Sequence, residues 1–256
     1  MNALYNEIEP FAADWLDELA RQGHIAPGRV ERRSVADLTV ADVAGPGQRH
    51  FFAGIGGWAL ALKRAGVADN ASVWTGSCPC QPFSSAGKGR GVRDPRHLWP
   101  AWFRLIEECK PAVIFGEQVA SRLGLAWFDG VRLDLERCGY AVGAADLCAA
   151  SHDAIHVRQR LWWVAHAEGI GRNAHDLLVP REPRRPSFAT RRLPRLDVAG
   201  RWWWTPEIGE REPTLVRNHD GLSGCLAGLG NAIVPQVAAT FIEAALDAIE
   251  AQQGAS

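Results

Sequence analysis

The stretch Gly76-Ser77-Cys78-Pro79-Cys80-Gln81-Pro82-Phe83-Ser84 decides how this chain is read. A short apolar run, Ala71-Ser72-Val73-Trp74, leads into it, and a glycine-rich basic loop, residues 86–93, follows it. The pattern predicts a buried strand that ends in a tight turn presenting one thiol. Pro79 and Pro82 each hold φ near about −65° and remove an N–H donor, so the turn around Cys80 is stiff. A nucleophile on such a turn is aimed before its substrate arrives. Cys80 also fits a buried structural thiol, or half of a metal site shared with Cys78, but no second Cys/His pair with ligand spacing accompanies them and no metal is expected.

On the amino side of this turn, Ala3 to Ile8 predicts a short strand. Pro10 opens a helix with Phe11, Trp15 and Leu19 on one face, and Gly23 stops it. Arg32 to Leu38 predicts a second short strand. His50-Phe51-Phe52 then runs into Ala53-Gly54-Ile55-Gly56-Gly57, and Trp58 to Ala65 follows as a helix closed by Gly66. Strand, glycine turn and helix in that order form a cradle for a nucleotide, with free N–H groups at the helix start. A tight βα turn without a ligand fits the same residues equally well.

On the carboxyl side, Leu98 to Cys109 predicts a helix, Ala112-Val113-Ile114-Phe115 a strand, Phe128 to Cys138 a helix, and Tyr140 to Leu147 and Leu161 to Ala165 two further strands. Alternation of this kind predicts an α/β fold with a doubly wound, mostly parallel sheet. Ligands of such sheets sit at the carboxyl ends of strands, and Glu7, Gly54, Cys80 and Glu117 each fall just after a predicted strand. From His166 to about Gly224 periodicity fades. Residues 181–201 hold seven arginines against Glu182 and Asp197, and Trp202-Trp203-Trp204 follow. The expected division is a catalytic α/β domain over 1–165, completed by 226–256, with a small irregular lobe over 166–225. The arginines fit a solvated segment as well as a nucleic-acid contact, and the three tryptophans fit packing or stacking. Pro235 to Ala251 predicts a helix with Val237, Phe241, Ala245 and Ile249 on one face.

The totals bound the reading further. The 256 residues, 47% of them hydrophobic, are enough for one large domain with a proper core. A net charge of −1 does not announce a nucleic-acid binder, so any basic surface is local. Six cysteines without a disulfide pattern point to a reducing, cytoplasmic setting, and no signal peptide or long apolar run points to a membrane.

Residues 76–84 resemble the catalytic motif of the C5-cytosine DNA methyltransferases, Pro-Cys-Gln followed by Phe-Ser. Four further stretches resemble motifs of that family. They are Phe52 to Gly57, the first cofactor motif; Gly116-Glu117-Gln118-Val119, with Gln for the family's Asn; His156-Val157-Arg158-Gln159-Arg160, with His for the family's first Gln; and Leu229-Gly230-Asn231-Ala232-Ile233-Val234-Pro235. The order is unusual. Only 18 residues separate Gly57 from Gly76, too few for two more βα units. The ribose motif is instead similar to Asn6-Glu7-Ile8-Glu9-Pro10-Phe11-Ala12, and the next motif to Arg33-Ser34-Val35-Ala36-Asp37-Leu38. Two βα units are thus expected to have moved in front of the glycine turn. Ser34 stands where the family has an adenine-binding acid, and His50 where it has an acidic start to the glycine motif.

The resemblance implies a methyltransferase of class I Rossmann type that moves a methyl group from S-adenosyl-L-methionine to cytosine C5. Cys80 would add to C6, Glu117 would protonate N3, Arg160 would hold O2, and Arg158 would support the loop or a phosphate. Glu7, Ser34, Phe52, Ala53, Gly54, Ile55, Gly56, Gly57 and Asn231 are the implied cofactor residues. The target base must leave the stack, and Gln81, Ser84, Ser85, Lys88, Arg90 and Arg93 are the implied contacts to double-stranded DNA. A monomer acting in DNA modification is expected, alone or beside a restriction partner, with the unusual order hinting at a phage setting. The departures at Ser34 and His50 leave two alternatives: the same thiolate chemistry with methylene-tetrahydrofolate, giving a hydroxymethylated base, or a DNA-binding homologue without turnover.

Overall fold

A computed structural model describes residues 3–79, 98–152, 158–167, 195–196, 202–203 and 232–254. Seven strands form one sheet: β1 (Ala3–Asn6), β2 (Gly28–Glu31), β3 (Arg49–Phe51), β4 (Val73–Gly76), β5 (Val113–Val119), β6 (Tyr140–Cys148) and β7 (Gln159–Ala167). Their order is β2-β1-β3-β4-β5-β7-β6, and every neighbour pair is parallel except the two made by β7. The helices are α1 (Pro10–Arg21), α2 (Val40–Val43), α3 (Gly57–Arg64), α4 (Trp99–Cys109), α5 (Arg122–Arg137) and α6 (Pro235–Gly254). The fold is therefore the expected mostly parallel α/β sheet, wound on both faces. A separate two-strand ladder joins β8 (Arg195–Leu196) to β9 (Trp202–Trp203).

Alternate residues of each strand feed two cores. Val73, Val113, Phe115 and Trp162 pack under α3 and α6, beside a smaller group in which Tyr5 meets Leu16 of α1. Leu4, Phe51, Trp74, Ile114 and Trp163 pack under α4 and α5 on the opposite face, together with Val35, Leu38 and Val43. Seven of the eleven tryptophans are buried in these layers, so most of the indoles are core. Gly116 makes room for one of them: a Cβ there would lie 2.1 Å from the Trp163 ring.

The placement of the helices sets the hand of each crossover. The steps β4-α4-β5 and β3-α3-β4 move the same way across the sheet, yet α4 and α3 lie on opposite faces. Their hands are therefore opposite. The other connections, β1-α1-β2, β2-α2-β3 and β5-α5-β6, share the hand of β4-α4-β5. Since parallel crossovers are right-handed in all but a few per cent of cases, the odd one, β3-α3-β4, is left-handed.

Several local expectations are corrected. The second strand is Gly28–Glu31, and residues 32–38 form no strand, because Ser34 caps a 3-10 turn at Val35–Asp37 by accepting from Ala36 N–H. The strand expected to end at Phe115 continues to Val119, since β7 pairs with it along its whole length. Helix α5 starts at Arg122 rather than Phe128, capped by Ser121, whose Oγ accepts from Gly124 N–H at 3.0 Å. In α1 the buried positions are Ala12, Ala13 and Leu16, while Phe11 and Trp15 are exposed. Apolar spacing there marks a helix but not the face that the core covers. Val237, Phe241, Ala245 and Ile249 of α6 are all buried as expected.

His50 lies inside the sheet. Its ring stacks on Tyr5 at 4.9 Å and its nitrogens meet Thr75 Oγ1 at 2.8 Å and Gln48 Oε1 at 3.1 Å. Burial, and then the nearby Arg49 charge, push its pKa down to about 3. The unfolded chain binds this proton near pH 6.5 and the fold does not. The contribution is complete above about pH 6.5 and is lost as pH falls, at up to about 1.4 kcal/mol per pH unit. His50→Gln keeps hydrogen-bonding atoms without titrating. We expect urea unfolding at pH 7 and pH 5 to show a shallower acid loss in the variant; equal losses contradict this account.

Candidate functional site

Four strand ends converge at the carboxyl edge of the sheet. The chain runs from β1 outward to β2 and then back past β1 to β3, so its direction reverses between β1 and β3. Crevices at such reversals are where open α/β sheets hold ligands. Glu7 follows β1 and the glycine turn follows β3. The Glu7 carboxylate bridges them, accepting from Gly54 N–H at 2.7 Å through Oε2 and from Glu9 N–H at 2.9 Å through Oε1. Ala53 N–H donates to Asn6 C=O at 3.0 Å, and buried Asn6 donates to the carbonyls of Glu31 and Arg33 at 3.1 and 2.7 Å. This ties β2 to the same edge.

The glycine turn is built from unusual backbone. Phe52 has φ +52° and sets its ring edge-on to Trp102. Gly56, at φ +87°, is the cap residue of α3, a conformation that costs a side-chain-bearing residue dearly. No side chain caps α3, so its first N–H groups face the crevice. Ile55, Gly56 and Gly57 line a cavity of about 360 Å³ with Ile233 and Arg158, which brings the segment after position 231 onto the glycine turn. Asn231 itself lies outside the described residues. Ser34 spends its hydroxyl on the cap of its own turn.

The second half of the site centres on Glu117. It sits within β5, not after it, and opposes Trp162 in the ladder. Arg160 is two residues along β7 on the same face. Glu117 is 8% exposed, and Arg160 Nε lies 2.7 Å from its Oε1. Burial raises the Glu117 pKa, while Arg160, Arg158 and a hydrogen bond from Ser77 pull the other way. Burial, and then the like charge of Arg160, lower the Arg158 pKa. One carboxyl facing two guanidiniums leaves net positive charge for an electron-rich ring edge or a phosphate.

The strand β4 carries Ser77, Cys78 and Pro79 to this place. Cys78 is buried in the apolar layer under α4. Gln118 donates from Nε2 to the Cys78 carbonyl at 3.4 Å and accepts from Val119 N–H at 2.9 Å, so the amide at this position pins the segment that leads to Cys80. Cys80, Gln81, Ser84, Ser85, Lys88, Arg90 and Arg93 lie outside the described residues. The structure thus brings Glu7, Gly54 and the rest of the glycine turn together at one crevice, and Glu117, Arg158 and Arg160 together beside it. Sequence reasoning missed Ser77 and Trp58: the Trp58 indole donates to Ser77 Oγ at 3.0 Å. An indole at the first turn of the helix after the cradle needs an acceptor once buried, and the only hint was the serine three residues before the cysteine.

The fold and site define an α/β domain with a glycine-turn crevice and a buried acid paired to arginine. Residues 68–192 match the model of the family described as C-5 cytosine-specific DNA methylase. The chain is 28% identical over 151 residues to the type II methyltransferase M.AplI of Arthrospira platensis, covering 45% of this chain and 44% of that protein. It is 34% identical over 101 residues to the type II methyltransferase M.NgoMIV of Neisseria gonorrhoeae, covering 38% and 32%. It thus spans less than half the length of these relatives. Among solved structures, the Entamoeba histolytica methyltransferase EhMeth aligns over 66% of this chain and 46% of its own, at 16% identity and a TM-score of 0.44. The family model, which matches just under half of this chain, and these relatives support the resemblance to the C5-cytosine DNA methyltransferases.

Arg160→Gln strands the Glu117 charge in the interior. We expect a loss of about 3 kcal/mol in denaturant unfolding, most of it restored by adding Glu117→Gln. A double variant as unstable as the single one contradicts the pairing.

Proposed function

We propose that the protein is a DNA cytosine-5 methyltransferase that uses S-adenosyl-L-methionine. The observation that carries this reading is the cluster of Glu117, Arg158 and Arg160 beside the Ser77-Cys78-Pro79 segment, next to a crevice built by Glu7 and the glycine turn. The crevice fits a sulfonium nucleoside. The Glu7 carboxylate is fixed by two backbone N–H groups and keeps lone pairs for ribose hydroxyls. The uncapped start of α3 and the backbone of residues 52–57 suit the amino-acid end, and Asn231 is the further residue we assign to the cofactor. Ser34 offers its remaining hydrogen-bonding capacity near the adenine. When bound, the cofactor supplies an electrophilic methyl carbon.

The chain's own residues do the rest. Cys80 thiolate forms a bond to C6 of a flipped cytosine as the C5–C6 π pair moves to C4–C5 and the C4–N3 π pair moves onto N3, where it takes the Glu117 proton, leaving a carboxylate. Arg160 holds O2 and Arg158 a neighbouring oxygen. C5 then carries the electron density that takes the methyl group. After C5 loses its proton, the sulfur–C6 bond breaks and the thiolate is restored. Gln81, Ser84, Ser85, Lys88, Arg90 and Arg93 meet the DNA around the flipped base. Residues 166–225 form the recognition lobe, and residues 226–256 complete the catalytic domain. The protein acts as a monomer on double-stranded DNA in the cytoplasm.

Labelled S-adenosyl-L-methionine with duplex DNA tests this reading. We expect label on cytosine C5, a covalent adduct on 5-fluorocytosine DNA, and at least a thousandfold loss with Cys80→Ala. Unlabelled DNA, or equal labelling by Cys80→Ala, sinks it. Nucleoside mass spectra that show hydroxymethylcytosine would assign a folate donor instead. His50 gives that alternative little support, because it is sealed inside the sheet rather than facing the crevice.

The left-handed β3-α3-β4 crossover supports a further part of the reading: the β1 and β2 units once stood between α3 and β4. In that order α3 would step toward β1, and every crossover would be right-handed. A chain relinked to place residues 3–46 between positions 67 and 71 should fold with the same circular dichroism and a cooperative melt. A relinked chain that stays unfolded contradicts the rearrangement.

A further inference from the structure

We propose that Asn6 is the positioning residue that sets how the segment 33–38 stands against Glu7, and so how strictly the crevice selects its base. The proposal rests on the reading above, which places a nucleoside between Glu7 and Ser34. Asn6 closes β1 and is 2% exposed. Its Nδ2 donates to the Glu31 carbonyl at 3.1 Å and to the Arg33 carbonyl at 2.7 Å. Two carbonyl acceptors are met only by the NH₂ end of an amide, and both of its hydrogens are engaged. The Asn6 carbonyl accepts from Ala53 N–H at 3.0 Å, at the glycine turn. One buried residue therefore joins three strand ends: its own, the exit of β2 and the turn after β3.

The bond to Arg33 reaches past the sheet. Glu7 N–H still donates to Glu31 C=O at 3.0 Å, but the two segments then part. Arg33 gives its N–H to the Glu31 carboxylate at 3.0 Å, and its guanidinium meets Glu31 at 2.9 Å and Asp42 at 2.6 Å. Those partners belong to β2 and α2, so they stiffen the turn without referring it to β1. Asn6 supplies that reference. Glu7 is the next residue on one side, with its carboxylate fixed on Gly54 N–H at 2.7 Å, and Ser34 follows Arg33 on the other. Any outward movement of Ser34 must break or stretch the bond to the Arg33 carbonyl, so the gap across which a base would lie is held before it arrives.

Titration calorimetry with S-adenosyl-L-homocysteine and its analogue methylated on the adenine amino group tests this. A fixed wall excludes one added methyl group by about tenfold, so wild type should prefer the unmethylated ligand by that factor. In Asn6→Ala that ligand should bind about tenfold more weakly, the preference should fall to about twofold, and affinity for duplex DNA should hold. Asn6→Leu fills a similar volume without the donors and should behave as Asn6→Ala. Hydrogen exchange read by mass spectrometry should show peptide 32–38 of Asn6→Ala exchanging about tenfold faster, with peptide 73–76 unchanged. An unaltered preference in Asn6→Ala, an equal loss of DNA affinity, wild-type behaviour in Asn6→Leu, or a 32–38 peptide as protected as in wild type each overturns the proposal. If that peptide loosens as expected but wild type binds neither ligand, the positioning stands and the assigned cofactor falls.

Discussion

The charge at Glu117 is the constraint on which the site depends. Taking a carboxylate out of water costs several kcal/mol even after the protein relaxes. Burial alone would leave this group a permanent neutral acid, and a fully compensated ion pair would leave it a permanent anion. The structure sits between these limits. Arg160 touches one oxygen at 2.7 Å, and Arg158 contributes its charge from farther along. On balance burial prevails and holds the carboxyl above its usual range, against the pull of the two guanidiniums. The same opposition explains why the two arginines are not simple surface charges: each loses water to reach the acid, and Arg158 is itself pushed toward neutrality by burial.

The sheet that places this acid also brings the glycine-turn crevice to the same edge, and the strand order does so. Reversal between β1 and β3 opens the crevice; β4 and β5 lie one and two strands on. Pairing β7 antiparallel to β5 then sets Arg160 diagonal to Glu117. A parallel neighbour would have carried its arginine to the opposite end of the strand. The left-handed passage through α3 is the exception in this sheet. It is stabilised by what α3 touches: Trp58, Ala61 and Leu62 join the layer with Val237, Phe241 and Ile242 of α6. Burial of these side chains holds α3 on this face despite the strong preference for right-handed connection.

Much of this was legible in the sequence, because the signals are local. Glycines between an apolar run and a helix marked the cradle, and Glu7 stood directly after a run of four strand residues. What failed was whatever depends on a distant partner. Phe115 looked like the end of β5 because Gly116-Glu117-Gln118 is polar and turn-like; only β7, more than forty residues on, makes it strand. Arg32 to Leu38 looked extended because Val35 and Leu38 are apolar, but Ser34 gives the backbone a cheaper local partner. Phe11 and Trp15 shared a helical face with Leu19, yet the sheet covers the other side of α1. Ser77 and Trp58 carried no motif at all: their pairing spans a crossover and needs coordinates to be seen.

The two halves of the site also share one mechanical part. Helix α3 begins at the glycine turn, and its second residue is Trp58. The start of the helix is held by the left-handed cap at Gly56 and by Ile233, which lines the cavity beside Gly57. The indole that meets Ser77 is therefore positioned by the same backbone that forms the glycine turn. One short helix, eight residues long, thus links the glycine turn to the strand end that carries Ser77.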